Sequence, residues 1–198
     1  MTTISIIYFS ASGRTAKLAK AVNKGAASVE GVQTNLIAIN GDDIIKGRYE
    51  NEEVMSALDA SDAIIFGSPT FMGGPAAQFK AFADASVRRW SEQSWRDKLA
   101  AGFTTSGALS GDKFSTLQYF HTLVMQHGMV WIGLGELPGQ PTGVNRLGSW
   151  GGAMAQSLEE DSNVVAADRL TGEVLGRRVA TFASKNQTSA HNLVAAVG

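Results

Sequence analysis

Three hydroxyl side chains and a glycine lie close together near the N-terminus. The segment reads Ser10-Ala11-Ser12-Gly13-Arg14-Thr15, and it connects an apolar run to a stretch of helical periodicity. The free N–H groups and the dipole of a helix N-terminus suit a dianionic phosphate without a lysine, and Gly13 permits a tight turn beside the ligand. The alternative, a serine N-cap with ordinary turn residues, explains one hydroxyl but not three. We therefore predict a phosphate-binding loop.

Two further loops are rich in glycine and hydroxyl residues, and each follows an apolar run. The first is Gly67-Ser68-Pro69-Thr70-Phe71-Met72-Gly73-Gly74-Pro75, and the second is Thr104-Thr105-Ser106-Gly107-Ala108-Leu109-Ser110-Gly111. Ligands of open α/β sheets bind outside the carboxyl ends of the strands, so both loops are expected beside the phosphate loop. The first is equally compatible with a plain connection to a helix that starts near Pro75.

Short apolar runs alternate with segments of helical spacing along the chain. Near-continuous apolar runs indicate strands buried on both faces, as in a parallel sheet covered by helices. A last helix is expected over about Val164 to Phe182, and the glycine- and proline-rich stretch 135–152 is expected to be a long loop. The predicted strands are Ile4–Phe9, Val32–Ile39, Ala63–Phe66, Leu99–Thr104 and Met129–Leu134.

Composition narrows the class of protein. The 198 residues are 44% hydrophobic and 18% charged, which is typical of a globular protein. The net charge of −1 speaks against nucleic acid as a partner. Cysteine is absent, which excludes disulfides and thiolate chemistry, and three histidines without clustered carboxylates give no support for a metal site.

The two ends of the sequence bear on domain organisation and location. We expect one domain over residues 1–184 and a flexible C-terminal tail over 185–198, because the chain turns polar there. The N-terminus has no secretory signal pattern, and no apolar run is long enough to span a bilayer. The expectation is a cytoplasmic protein without membrane insertion.

The three loops resemble those of a known family. Segment 10–15 fits the flavodoxin phosphate pattern, hydroxyl-x-hydroxyl-Gly-x-Thr, at each specified position. Segment 67–73 resembles the pattern Gly-x-Pro-Thr-x-x-Gly, and segment 104–111 resembles the family's Ser-Thr-Gly loop. From Ile4 to about Gly133 the chain is similar to the tryptophan-repressor-binding-protein family, the bacterial FMN-dependent NAD(P)H:quinone oxidoreductases.

This resemblance implies a fold, a cofactor and the cofactor's contacts. The implied fold is a flavodoxin-like, three-layer, doubly wound α/β fold whose parallel five-stranded sheet has the order 2-1-3-4-5. The cofactor is FMN, with its phosphate on the first loop, its isoalloxazine wrapped by the second and its pyrimidine end surrounded by the third. The implied FMN-binding residues are Ser10, Ala11, Ser12, Gly13, Arg14, Thr15, Pro69, Thr70, Phe71, Met72, Gly73, Thr105, Ser106, Gly107, Ala108, Leu109 and Ser110.

The resemblance also implies two residues of a substrate site. Trp90 falls, without a gap, on the family's tryptophan near the quinone site. His127 matches the second histidine of a His-His-Gly-Met segment, while Gln126 replaces the first, which is associated with the flavin. Ordinary packing of Trp90 and a structural role of His127 stay open as alternatives.

The implied function is hydride transfer from NADH or NADPH through FMN to a quinone, in a two-electron ping-pong reaction. The chemistry takes place at flavin N5, so no side chain is predicted as acid or base. The family further implies a homodimer or homotetramer whose flavin sites are lined by neighbouring chains, with Trp90 and Trp150 as candidate contacts.

Two other functions stay open. A flavodoxin-type one-electron carrier shares the fold, but such carriers tend to be strongly acidic, unlike this chain with its net charge of −1. A flavin-binding interaction protein has only the loop 135–152 in its favour. A signalling receiver domain is excluded because the strand ends lack acidic residues, and a serine hydrolase because no Gly-x-Ser-x-Gly motif is present.

Overall fold

A mostly parallel sheet with helices on both faces forms the frame of the protein. The computed structural model describes residues 1–157 and 163–195. Its strands and helices alternate along most of the chain, as the apolar pattern predicts. The elements are β1 (Thr2–Tyr8), α1 (Arg14–Ala27), β2 (Val32–Ala38), β3 (Ile44–Ile45), β4 (Arg48–Tyr49), α2 (Glu52–Asp59), β5 (Ala63–Phe71), β6 (Gly74–Pro75), α3 (Ala77–Ala85), α4 (Val87–Ser91), β7 (Leu99–Ser106), α5 (Lys113–Gln126), β8 (Val130–Trp131), β9 (Ala153–Gln156) and α6 (Ala166–Ala195).

The central sheet has the strand order β2-β1-β5-β7-β8, and neighbouring strands pair in parallel. Since β3, β4 and β6 are short strands outside this path, the predicted order 2-1-3-4-5 and the flavodoxin-like α/β fold are confirmed. Ile6, for example, lies opposite Leu36 of β2 and Ile65 of β5. The carboxyl ends of β1, β5 and β7 therefore meet at one edge of the sheet, and each is followed by one of the three predicted loops.

Two separate strands occupy the fifth position of the sheet. β8 pairs with Leu99 and Ala100 at the start of β7, whereas β9 pairs with Phe103–Ser106 at its end. The predicted strand Met129–Leu134 is therefore longer than the observed one, and β9 is not predicted at all, because its alanines and flanking glycines form no apolar run. Residues 132–152 form an insertion between the two strands, and this insertion contains the predicted long loop.

Helices cover both faces of the sheet and complete the three layers. One face is covered by α1 and α6, and the other by helices that include α3 and α5. The second face is rich in aromatic side chains, which supply much of its buried apolar area. Large buried residues of the two faces are Leu18, Val22, Leu175 and Val179 on the first, and Phe66, Phe79, Phe82 and Phe120 on the second.

The last helix is longer than predicted and packs closely on α1. It begins at Ala166 and ends at Ala195, so part of the predicted tail is helical, and residues 196–198 lie outside the described chain. At Gly176 a Cβ atom would lie 1.9 Å from the carbonyl oxygen of Val22. Glycine lowers the stability of an isolated helix, but here it allows two helices to approach closely.

Candidate functional site

The predicted phosphate loop lies between β1 and α1 and leaves open space for a ligand. Gly13 precedes the helix with φ +81°, a conformation that favours glycine, and no atom would lie within 4 Å of a Cβ added there. Ser10 Oγ accepts a hydrogen bond of 3.1 Å from the Ala16 N–H. The first hydrogen bond of the helix runs from the Lys17 N–H to the Gly13 carbonyl. The N–H groups of Arg14 and Thr15 precede it and therefore have no acceptor within the helix.

Thr15 connects the phosphate loop to the loop after β7. Its hydroxyl shares a hydrogen bond of 2.8 Å with the Thr105 hydroxyl, and both side chains are buried. Arg14 Nε is buried as well, and it has no hydrogen-bond partner within the described chain. A donor without an acceptor, open space at Gly13 and a helix N-terminus fit a phosphate group.

The second predicted loop is a β-hairpin. β5 continues beyond its predicted end at Phe66 to Phe71 and pairs with β6 across a tight turn. Met72 and Gly73, at the tip, have φ +47° and +78°, the left-handed values that a two-residue type I′ turn requires. Phe71 is half exposed, and Met72 is fully exposed. The hairpin therefore presents two apolar side chains at the edge where the three loops meet.

A group of threonine hydroxyls fixes the base of this hairpin. Thr70 Oγ1 lies 2.9 Å from Thr104 Oγ1 on β7 and 2.8 Å from Thr116 Oγ1 on α5. Ser68 Oγ accepts a hydrogen bond of 2.9 Å from the Ala76 N–H across the hairpin. These bonds join the second loop to the third, as the Thr15–Thr105 pair joins the first to the third. Hydrogen bonds thus connect the three loops that carry the predicted cofactor-binding residues, and these loops are called the loop cluster below.

A buried lysine holds the third loop from within the fold. Lys113, the first residue of α5, donates from Nζ to Ser106 Oγ at 2.7 Å and to the carbonyl oxygens of Ala108 at 2.9 Å and Leu109 at 2.8 Å. It is 1% exposed, and burial lowers the pKa of its ammonium. Lys113 belongs to none of the three sequence motifs. Its position could have drawn attention to it, because a positively charged residue in the first turn of a helix is unfavourable with respect to the helix dipole.

β9 supports the same loop from the sheet edge, and the insertion 132–152 and α6 hold β9 in turn. Gln156 of β9 donates from Nε2 to the Gly107 carbonyl at 3.2 Å. Arg146 forms a two-pronged ion pair with Asp168 of α6, at 2.7 and 2.8 Å, and also donates to Gln156 Oε1 at 3.2 Å. Asp168 is 1% exposed and accepts the Gln156 N–H at 2.8 Å. None of these three residues is predicted from sequence, since they meet only through the split fifth strand.

A cleft of about 820 Å³ lies between the third loop and the insertion. Since β9 is the neighbour of β7 on the side away from β5, this cleft lies on the outer side of the third loop, away from the phosphate loop. Its rim carries the exposed side chains of Leu109, Phe114 and Trp150. It shares Leu109 and Ser110 with the predicted cofactor residues of the third loop.

Trp90 and His127 lie at the opposite edge of the sheet. α3 and α5 start at the edge with the three loops and run back, so α4 and the end of α5 lie near Leu99 and Val130, where β7 and β8 begin. Both residues line a cavity of about 440 Å³ between α3–α4 and α5. Within a single chain, the structure does not bring Trp90 or His127 to the predicted flavin loops.

The two residues differ in their surroundings. Trp90 is 47% exposed. His127 is 1% exposed, shares a hydrogen bond of 2.9 Å between Nε2 and Ser86 Oγ, and stacks on Trp95 with the ring centres 4.5 Å apart. Burial lowers the pKa of His127 to about 4. The ring is thus neutral at physiological pH and sits in a structural contact.

Neither a metal-binding group of side chains nor a membrane-spanning helix is found among the described residues. Within residues 1–157 and 163–195, no three histidine or carboxylate residues group in a way that would hold a metal ion. Across the same residues, no helix is both long and apolar enough to cross a membrane.

The fold defines a flavodoxin-like protein, and the loop cluster is its candidate site for a flavin nucleotide. Residues 2–138 match the family described as NADPH-dependent FMN reductase. The chain belongs to this family. Membership confirms the predicted class, an oxidoreductase with FMN as cofactor and NAD(P)H as co-substrate.

Individual proteins with similar sequences carry two kinds of name. A protein of Pseudomonas aeruginosa called flavodoxin FldP is 37% identical over 182 residues, which cover 88% of this chain and 93% of that protein. An NAD(P)H dehydrogenase (quinone) of Archaeoglobus fulgidus is 34% identical over 198 residues, which cover 93% of this chain and 99% of that protein. The predicted resemblance to the tryptophan-repressor-binding-protein family is confirmed by these matches together with the structural comparison.

A solved structure provides that comparison. The flavodoxin, WrbA-like protein of Agrobacterium tumefaciens is 39% identical in sequence and superimposes with a TM-score of 0.75, over 93% of this chain and 99% of that one. At this identity the likeness extends beyond a shared fold.

Proposed function

We propose that the protein passes a hydride from NAD(P)H through FMN to a quinone, in a two-electron ping-pong reaction. The observation that carries the proposal is the joined loop cluster: Thr15 and Thr105 share one hydrogen bond, and Thr70 and Thr104 share another. Several relatives are named NAD(P)H dehydrogenase (quinone), among them the protein of Archaeoglobus fulgidus. When bound, FMN accepts the hydride and supplies two electrons to the acceptor.

Each of the three loops would bind a different part of the cofactor. Residues Ser10 to Thr15 would hold the phosphate through N–H groups, hydroxyls and the helix dipole. Pro69 to Gly73 would lie along the ring, with the exposed Phe71 and Met72 available for contact with a flat aromatic system. Thr105 to Ser110 would supply hydroxyl and N–H donors to the pyrimidine end. The protein would position the flavin and its substrates and set the electrostatic potential around them, and it would not supply a side-chain acid or base.

A second chain would complete the substrate site. Because Trp90 lies at the sheet edge opposite its own loop cluster, it can reach a flavin only in a neighbouring chain. Trp150 is 55% exposed and stands on the insertion beside the third loop. Exposed tryptophans are enriched at protein interfaces. We therefore include a homodimer or homotetramer in the proposal, with Trp90 as the substrate-site residue; His127 would support it from the interior. The cytoplasm, which holds a reduced nicotinamide pool, is the proposed location.

A one-electron carrier is the second candidate, because the Pseudomonas aeruginosa relative is named a flavodoxin. The experiment that separates the two uses the FMN-loaded protein with NADH or NADPH and a soluble quinone. The enzyme should oxidise one nicotinamide per quinone reduced, and parallel lines should appear in double-reciprocal plots at varied quinone. Negligible nicotinamide oxidation, together with reductive titration in two separate one-electron stages, would support the carrier instead.

A further inference from the structure

Lys113 places a full positive charge inside the loop that follows β7. Its Nζ donates three hydrogen bonds, to Ser106 Oγ, to the Ala108 carbonyl and to the Leu109 carbonyl, at 2.7, 2.9 and 2.8 Å. An ammonium group has three N–H donors, so the loop engages all of them. Lysine is almost never this buried without a partner. The side chain therefore sets the path of residues 106–109.

Within residues 1–157 and 163–195, no carboxylate forms an ion pair with Lys113. Its three acceptors are neutral oxygens, and the helix dipole of α5 adds positive potential at this end. Arg146 and Asp168 are the charged groups that influence its pKa, and they form an ion pair with each other at 2.7 Å. Burial of an unpaired charge is costly unless an opposite charge arrives. The surroundings of Lys113 thus favour negative charge from a bound group.

The position of this charge relates it to the cofactor. The third loop, which Lys113 holds, continues β7 beyond Thr105. Thr105 is hydrogen-bonded to Thr15 of the phosphate loop. In the proposed placement of FMN, the same loop surrounds the pyrimidine end, where reduction of the flavin adds negative charge. Preorganised positive charge is most effective where negative charge develops and water is excluded.

We propose that Lys113 is a positioning residue that sets the path of the third loop and stabilises reduced FMN relative to oxidised FMN. The proposal rests on the proposed function, since it takes FMN to lie in the loop cluster. Lys113 acts through Ser106, Ala108 and Leu109 and need not touch the flavin. Its charge raises the midpoint potential of the bound cofactor, which makes acceptance of a hydride from the nicotinamide more favourable.

The test compares Lys113→Met and Lys113→Gln with wild type in the FMN-loaded protein. Midpoint potentials are measured by equilibration with a redox dye, and the dissociation constant of oxidised FMN by quenching of its fluorescence. Loss of the charge should lower the preference for reduced over oxidised FMN about tenfold, which for a two-electron couple corresponds to about 30 mV. Lys113→Gln keeps two N–H donors but carries no charge. It therefore distinguishes the effect of the charge from that of the loop shape, even if Lys113→Met fails to fold. Lys113→Arg keeps the charge and should keep the potential.

Lys98 offers a matched control. It is half-buried, its pKa is also lowered by burial, and it donates to the carbonyl oxygens of Asp59 and Ser61, but it lies at the opposite edge of the sheet. Lys98→Met should lower thermal stability without moving the potential. An unchanged potential in folded, FMN-loaded Lys113→Gln would overturn the proposal, as would an equal shift in Lys98→Met. Failure of wild type to bind FMN would instead refute the proposed function.

Discussion

The hydroxyl oxygens of Thr15 and Thr105 lie 2.8 Å apart, although 90 positions separate the two residues in the chain. Both side chains are buried. The pair holds the start of α1 against the end of β7. A ligand that spanned the phosphate loop and the third loop would therefore contact two segments that this hydrogen bond joins.

Replacement of Thr15 by Val should weaken FMN binding while keeping the shape of the side chain. A hydrogen bond to a charged group contributes about 1.5 to 3 kcal/mol, so FMN affinity should fall about 10- to 150-fold. Riboflavin, which lacks the phosphate, should lose much less. Titrations of both ligands by fluorescence quenching check this.

Thr105→Val is the control for the Thr15 experiment, because it breaks the same inter-loop bond from the other side. It should affect FMN and riboflavin to similar degrees, since it leaves the phosphate loop intact. If Thr15→Val reduced the affinity for both ligands equally, the phosphate role of this loop would be wrong and only the frame would matter.

The exposed Trp90 should contribute to self-association. An interface tryptophan typically contributes about 2 kcal/mol, so Trp90→Ala should weaken assembly about 30-fold. Light scattering over a range of protein concentrations measures this, and quinone reduction should fall in parallel because the neighbouring flavin site is then incomplete. Leu36→Ala, which changes an exposed apolar residue on the edge strand β2, should change neither. A wild-type monomer with full activity would contradict the assembly.

His127 should make stability depend on pH in the mildly acidic range. Burial lowers its pKa from 6.5 to about 4. Between these values the unfolded chain binds a proton at this site and the folded chain does not, so the free energy of unfolding should fall as the pH drops from 6.5 toward 4. Urea unfolding at several pH values checks the slope. His127→Phe keeps an aromatic ring next to Trp95 but cannot titrate, so its slope should be shallower; an equal slope would assign the effect to other groups.

Residues 185–198 should be dispensable for folding and FMN binding. Among the α6 side chains that the structure describes, which end at Asn186, those in the core are Leu175, Val179, Ala180 and Ala183, and they precede residue 185. A chain that ends at Ser184 should therefore keep its FMN content and nearly the same thermal midpoint. A chain that ends at Arg177 loses three of these core residues and should not fold stably, because burial of one large apolar side chain contributes about 1.5 to 3 kcal/mol. Loss of FMN from the first truncation would refute the predicted domain boundary.

Local pattern was sufficient to predict the loop between β1 and α1 and the strands of the parallel sheet, whereas the strand order was implied by the family resemblance. The hydroxyl spacing and Gly13 stand within six consecutive residues, and backbone conformation at a strand-to-helix junction depends mostly on such neighbours. The long apolar runs Ile4–Phe9 and Ala63–Phe66 correspond to strands β1 and β5, because strands buried on both faces must be apolar throughout.

Prediction fails where an element gains its stability from distant partners. Residues Ala153–Gln156 have little strand propensity, and they form β9 because β7 offers unpaired backbone groups from Phe103 to Ser106. Gly176 weakens a helix in isolation, yet it stands within α6 because α1 requires a close approach at Val22. In both cases a neighbouring element overrides local preference.

By itself the sequence determined the fold class and the family, and it predicted a phosphate-binding loop, since these depend on residues that are adjacent or periodic in the chain. Only the tertiary structure decided that Lys113 supports the third loop, that Gln156 holds it from the sheet edge, and that Trp90 lies away from its own flavin loops. The physical reason is that hydrogen bonds and burial depend on where distant segments meet, and that meeting place is set by the packing of the whole sheet.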